Sequence, residues 1–253
     1  MIKQKAILIL FLLLTVCINA QQTAEEKFNA GIASFSEGDY QKALESWIDI
    51  YRTGYRSAEL SYNIGNAYFK LDNIPSAILF YERAYLLKPG DEDINYNLQI
   101  ARTMVVDRFE EIPELFFVRW YNLLALSFSA NNSAWISIIT FTLCLLFLSL
   151  YFYTSKFKLK VLGFWLALLL LIISLSFLAL TLRNKNLVYE NRNGVIFSPA
   201  VSGKSSPDSS GTDLFVLHEG TKVSVEDEVG EWYEIRLSDG NKGWIPSNSL
   251  EII

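Results

Sequence analysis

The sequence predicts a multidomain membrane protein: an all-α solenoid of stacked helical hairpins, a two-helix transmembrane hairpin and a small all-β barrel. Three observations carry this. The first is a 34-residue self-similarity near the N-terminus: Phe28-Asn29 recurs as Tyr62-Asn63 and Tyr96-Asn97, Gly31 as Gly65, Ala43 as Ala77, and Trp47 as Tyr81. A constant period of that length marks a helical-hairpin repeat array. The second is a pair of uncharged apolar stretches, residues 132–153 and 161–182. The third is a change of pattern after Leu182 to short alternating strands punctuated by turn residues,.

Charge bounds the partners. The net charge of -5 is unevenly spread. Residues 21–112 and 187–253 each carry -6, and the remainder carries +7. The basic residues therefore gather around the hydrophobic segments. Two acidic flanking domains argue against nucleic acid, because phosphate contacts need a basic face. Cys17 and Cys144 both lie in apolar runs, so no disulfide framework is expected,. His218 is the single histidine, which removes most histidine-based metal and triad chemistry,. No paired-carboxylate cleft and no phosphate-cradling glycine loop is visible. The expectation is a protein without enzymatic activity, metal or cofactor.

Residues 1–20 read as a signal peptide. Lys3 and Lys5 precede the apolar run 6–16, and Ala20 offers a small residue at the cut,. An uncleaved anchor and a lipid attachment at Cys17 are the alternatives. About 20 apolar residues at 1.5 Å rise cross a hydrocarbon core of about 30 Å. The spans 132–153 and 161–182 meet that length. Trp135, Tyr151 and Tyr153 near the ends of the first, and Phe164 and Trp165 at the start of the second, suit the membrane interface. The linker 154–160 is short and carries Lys156, Lys158 and Lys160, so it forms a basic cytoplasmic loop and the spans form a hairpin,. A signal peptide plus an even number of spans places both flanking domains outside. Neither span contains an ionisable residue, which argues against an ion pathway. In residues 113–131, Phe116, Phe117, Trp120, Leu123, Leu124 and Phe128 fall at helical spacing. Two uses fit: an amphipathic helix lying in the headgroup region, or a further packing helix on the repeat domain.

Within the period, Gly31 and Gly65 sit where two helices of a hairpin touch. Ala43 and Ala77 are small for the same reason, and Trp47 and Tyr81 fill the core. Gly38-Asp39-Tyr40 and Asp72-Asn73-Ile74 are turns, and Pro89 ends a helix. Residues 93–109 read as one long helix that caps the array within the 21–112 domain. The run Tyr62-Asn63-Ile64-Gly65-Asn66-Ala67-Tyr68 resembles the tetratricopeptide (TPR) family. That resemblance implies a concave groove lined by Phe28, Asn29, Ile32 and Phe35, by Tyr62, Asn63, Asn66, Phe69 and Lys70, and by Tyr96 and Asn97. An amide can both donate to and accept from an extended peptide, and aromatic rings form side-chain pockets. The same asparagines could instead pack repeat against repeat.

In residues 187–253, Ser238-Asp239-Gly240-Asn241 reads as a hairpin turn with positive φ at Asp-Gly. Residues 201–213, rich in Ser, Gly and Pro, read as a long flexible loop. The segments 217–221, 231–233 and 239–245 look like a bacterial SH3-like domain, a small β-barrel,. Such domains bind cell-wall peptides or proteins, or else Trp232 and Trp244 serve mainly as core.

The order of modules resembles the BatE-like proteins of the Bat aerotolerance group. The resemblance implies a multi-pass bacterial inner (cytoplasmic) membrane protein with its TPR and SH3-like domains on the periplasmic side. It implies partners among Bat-group membrane proteins with von Willebrand A domains and a MoxR-type ATPase. Two function classes follow: a membrane-anchored scaffold that binds partner proteins through the TPR groove, or an envelope sensor or tether whose SH3-like domain binds cell-wall peptide.

Overall fold

The structure is a computed structural model that describes residues 24–109, 115–190 and 192–253. The signal-peptide reading over residues 1–20 lies outside them. Residues 24–36 are helical (α1). They are followed by α2 (Tyr40–Arg52), α3 (Ala58–Lys70), α4 (Ile74–Leu87) and α5 (Glu92–Thr103). Each of the last four starts on a polar cap: Asp39 accepts from the Lys42 amide, Ser57 from Leu60, Asn73 from Ser76, and Asp91 from Asp93 and Ile94. These side chains satisfy amide groups that a helix start leaves without partners. Gly38 (φ +85°) and Asp72 (φ +60°) turn the chain between helices at the expected places.

Consecutive helices pack on one another and share one core, in which Trp47, Leu60, Ile64, Ala77 and Tyr81 are fully or almost fully buried. The repeated glycines have a direct steric reason. A Cβ on Gly31 would lie 2.3 Å from Trp47 Nε1, and one on Gly65 would lie 2.7 Å from Tyr81 Cδ1. Each aromatic of a second helix thus rests on the glycine of the first, and the two pairs keep the same 34-residue step. The expected long helix over 93–109 is shorter. It ends at Thr103, and residues 104–109 leave it to run against the C-terminal sheet. Buried Val105 and the carboxylate of Asp107 find their partners there instead of in another helical turn.

Helices α6 (Phe116–Leu126), α7 (Ala130–Tyr153) and α8 (Phe157–Lys185) follow. Both α7 and α8 are long and apolar enough to cross a membrane. They pack along one another through small residues. Ser137 and Ser174 exchange hydroxyl-to-carbonyl hydrogen bonds of 2.9 Å in each direction. The linker is shorter than the sequence suggests: Lys158 and Lys160 already lie in the first turns of α8, leaving only Thr154-Ser155-Lys156 between the helices. Helix α6 packs on the C-terminal end of α8. Tyr121 donates to the Ala179 carbonyl, Arg183 to Asn122, and Asn184 to the carbonyls of Ala125 and Phe128. Phe116 and Trp120 point outward and are exposed.

The C-terminal part is a seven-stranded antiparallel sheet: β1 (Asn193–Ile196), β2 (Ala200–Lys204), β3 (Asp213–His218), β4 (Lys222–Val229), β5 (Trp232–Arg236), β6 (Lys242–Pro246) and β7 (Leu250–Ile252). The order is β3-β2-β6-β5-β4-β1-β7. The end strands β3 and β7 deliver Leu217 and Leu250 to the same core as Ile196, Ile235 and Ile245, so the sheet is rolled. Two sequence-based expectations change here. Residues 201–204 belong to β2, and the remaining loop is held by Asp208, which accepts from Ser206, from the Ser210 amide and from the Ser210 hydroxyl. Short hydroxyl and carboxylate side chains order a loop by bonding their own backbone. At 238–241 only Gly240 takes positive φ (+92°), while Asp239 accepts from the Asn241 amide.

The sheet docks on the repeat helices. Val195 belongs to the repeat core, and Phe197 and Ile253 pack against it. Arg83 on α4 donates to the Ile252 carbonyl at 2.7 Å and pairs with Glu251. Asp107 accepts from the His218 amide and from Thr221 Oγ1, and its other oxygen lies 2.7 Å from His218 Nδ1. Glu82, fully buried in α4, bridges Arg102 at 2.6 Å and Lys222 at 2.7 Å.

Candidate partner-binding site

The expected groove residues lie on α1, α3 and α5. The structure brings five of them together. Phe35, Asn66, Phe69, Lys70 and Asn97 line a cavity of about 280 Å³, closed by Tyr81 and Ile100. Tyr62 adjoins through its hydroxyl. The others do not line it. Phe28 faces a separate, larger cleft of about 640 Å³ with Ile50, Tyr55 and Glu59, and its carbonyl accepts from Trp47 Nε1. Asn29, Ile32 and Tyr96 are exposed, and Asn63 is half-buried. Tyr81 and Ile100 were not expected in the groove. Ile100 was reachable by the same arithmetic, since it stands one 34-residue step beyond Asn66. The period marks Tyr81 as core filler, and in the structure its hydroxyl also reaches the cavity.

The three recurring asparagines are not equivalent. Asn97 Nδ2 donates to Tyr62 Oη at 2.8 Å and to Asn66 Oδ1 at 3.0 Å. Tyr81 Oη donates to the same Asn66 oxygen at 2.7 Å. Asn97 thus knits α5 to α3, whereas Asn29 and Asn63 make no hydrogen bond through their side chains among the described residues. Burial, with the nearby Tyr62 adding to it, pushes the Tyr81 phenol up, so it stays a neutral donor. With Asn66 Oδ1 doubly engaged, Asn66 Nδ2 and the Tyr62 hydroxyl proton are left as donors, and Asn97 Oδ1 as an acceptor. Lys70 adds a cation at the rim, and no carboxylate lines the cavity. Donors and an acceptor set among aromatic walls are what a peptide group with an apolar side chain requires.

A second face lies on the sheet. The β5–β6 register sets Trp232 opposite Pro246 and Glu234 opposite Trp244, and Lys204 of β2 also pairs with Trp244. Trp232 and Trp244 are half-buried and stand outside the sheet core. Their alternation with buried Ile235 and Ile245 puts both rings on the outer surface,. Among the described residues, no three His, Cys, Asp or Glu side chains are grouped to hold a metal ion.

Residues 204–251 match the bacterial SH3 domain family. The match spans β3 to β6, the Trp232–Trp244 face included, and it defines the C-terminal part as a bacterial SH3-like module. No curated protein matches the chain.

Proposed function

We propose that the chain is a non-enzymatic, membrane-anchored scaffold whose TPR groove binds a segment of a partner protein. The cavity among Asn66, Asn97, Phe35, Phe69 and Lys70 carries this reading, because it joins hydrogen-bonding amides to aromatic walls on the helices that the 34-residue period generates. The residues that hold the sheet (Ile78, Glu82, Arg83 and Val105) are a different set, so docking of the sheet leaves the groove free. In this reading α7 and α8 span a bacterial inner membrane and α6 lies in the headgroup region, its exposed Phe116 and Trp120 toward lipid. The contacts between repeat helices and sheet require both modules on one side of that membrane. An even number of spans fits this, and we place them on the outer side.

The module order supports membership of a Bat aerotolerance complex with von Willebrand A-domain proteins. Affinity capture from solubilised membranes tests it. The parent chain should recover those proteins, and the Lys70→Glu variant, which reverses the charge at the cavity rim, should recover them at least several-fold less while folding normally. A second reading, an envelope sensor or tether binding cell-wall peptide, is favoured by the SH3 match and the outward Trp232 and Trp244. Retention on purified peptidoglycan without recovery of membrane partners would support it over the scaffold.

A further inference from the structure

The cleft where the sheet meets the repeat helices is separate from both faces described above. It has a volume of about 400 Å³, within the range of small-ligand pockets,. Four cationic side chains reach it, two from the repeat part (Arg102, Arg108) and two from the sheet (Lys222, Arg236). The carboxylates nearby are already engaged. Glu82 holds Arg102 and Lys222, Glu226 holds Arg236, and both oxygens of Asp107 are taken by His218 and Thr221. Arg108 is exposed and makes no ion pair or hydrogen bond through its side chain among the described residues. Lys242 shares Glu226 with Arg236, so the cleft carries net positive charge, with the free cation at its edge. Ile78, Val105, Phe109, Val223 and Leu237 form the apolar wall of the same cleft; Phe109 is the half-buried member that offers surface, and the other four are buried behind it.

We propose that this junction is a second binding site, for a short peptide-like acid that presents a free carboxylate to Arg108 and lays an apolar side chain on that wall. A planar guanidinium matches a carboxylate through two parallel hydrogen bonds. The half-buried Phe109 beside Arg108 argues against a bare inorganic anion, which would leave that ring wet. Because the walls come from both modules, the ligand holds them together, and binding raises the stability of their union by mass action.

The test uses the full chain in detergent micelles, titrated calorimetrically with acetyl-Leu-Glu, with the neutral acetyl-Leu-Gln-amide, and with inorganic phosphate. The acid should bind saturably in the micromolar to millimolar range and the neutral peptide about ten-fold more weakly or worse, since a charge-assisted hydrogen bond is lost. Arg108→Gln should fold normally and weaken the acid similarly, and Arg108→Lys should recover part of the loss. The groove variant Lys70→Glu should bind as the parent does. Equal binding of acid and neutral peptide, no saturable binding, unchanged affinity in Arg108→Gln, or phosphate binding as tightly as the acid would each overturn the proposal. Loss in the groove variant would move the site to the groove.

Discussion

Lys222 of the sheet closes on Glu82 of helix α4 at 2.7 Å, across 140 residues of chain. Burial pushes the Glu82 carboxyl up, but the charges and hydrogen bonds of Lys222 and Arg102 more than reverse this and hold it below the usual carboxylate range. The carboxylate stays ionised inside the molecule because both modules supply a cation to it. Removing one partner of such a group is more damaging than never having built it.

Lys222→Met should therefore weaken the union of sheet and repeat helices. Lys222 is partly exposed and Arg102 remains, so the expected loss is about 1–3 kcal/mol rather than the full cost of an orphaned buried charge,. Limited proteolysis of the detergent-solubilised chain reads it. Cleavage between residues 104 and 115 should accelerate in the variant. Equal cleavage rates would mean that the apolar contacts of Val195, Phe197 and Ile253 hold the modules without the ion pair.

The same contacts set an acid limit. Asp107 is also lowered: burial raises its carboxyl, and the hydrogen bonds from Thr221 and His218 outweigh that. A carboxylate with a folded pKa below its unfolded value stabilises the fold above the unfolded pKa, and that contribution is lost as pH falls through the folded value. With unfolded values of about 3.9 for Asp and 4.3 for Glu, the melting temperature should fall increasingly below about pH 4. Asp107→Asn should flatten that decline. A parent profile that is flat from pH 5 to 3, or a variant profile with the parent's slope, would count against this.

Gly65 meets the ring of Tyr81, so even one methyl group must displace it. Gly65→Ala should cost about 1–3 kcal/mol by overpacking, and Gly65→Leu more. Thermal melting followed by helical circular dichroism reads this, and unchanged melting would mean the ring moves aside freely.

What the sequence made legible was local or periodic. Gly31 with Trp47 and Gly65 with Tyr81 announced themselves by recurrence, and Asp39 and Asn73 by their place in the turns between helices. The long apolar runs needed only length. The junction was hidden because its pairs have no period: Asp107 with His218 are 111 residues apart and Glu82 with Lys222 140. The adjacent Glu82 and Arg83, the two charges in the largely apolar segment Ile74–Leu87, were the available signal for partners arriving from elsewhere. The 201–213 segment is misleading because its loop-like composition hides the pairing of β2 with β3. Ser202, Gly203 and Lys204 are poor strand formers, and Gly203 is in the strand because the Phe215 ring lies over it,. Five of the eleven residues that the period places in the groove line one cavity; the period fixes positions along a helix but not whether an amide is spent on its neighbour, as Asn97 is, or left exposed, as Asn29 is.

That difference separates two substitutions. Asn97→Ala removes a donor from both Tyr62 and Asn66 and should cost about 0.5–1.5 kcal/mol of stability per lost hydrogen bond,. Asn63→Ala removes an amide with no hydrogen bond inside the described molecule and should leave melting within about 0.5 kcal/mol of the parent. Because Asn63 does not line the cavity, Asn63→Ala should also leave capture close to the parent's, whereas Lys70→Glu should weaken it. Equal destabilisation by both changes would assign Asn63 a packing role.

With α7 and α8 crossing a membrane, as proposed, the same junction constrains the arrangement. Lys222 can reach Glu82, and His218 can reach Asp107, only if the segments before α6 and after α8 emerge on one face of the bilayer. Two spans meet that condition and one or three would not. Which face it is rests on the signal-peptide reading and on the lysines of the α7–α8 connection. An alkaline phosphatase fused after Ile253 should be active in intact cells. In a variant lacking Cys17 and Cys144, a new cysteine at Ser155 should resist a membrane-impermeant thiol reagent until the cells are opened, whereas one at the exposed Ser209 should react at once. An inactive fusion with Ser155 labelled from outside would invert the protein. Reaction at both positions from outside would mean that α7 and α8 do not cross, and the hairpin would then be lying on the membrane or buried against another chain.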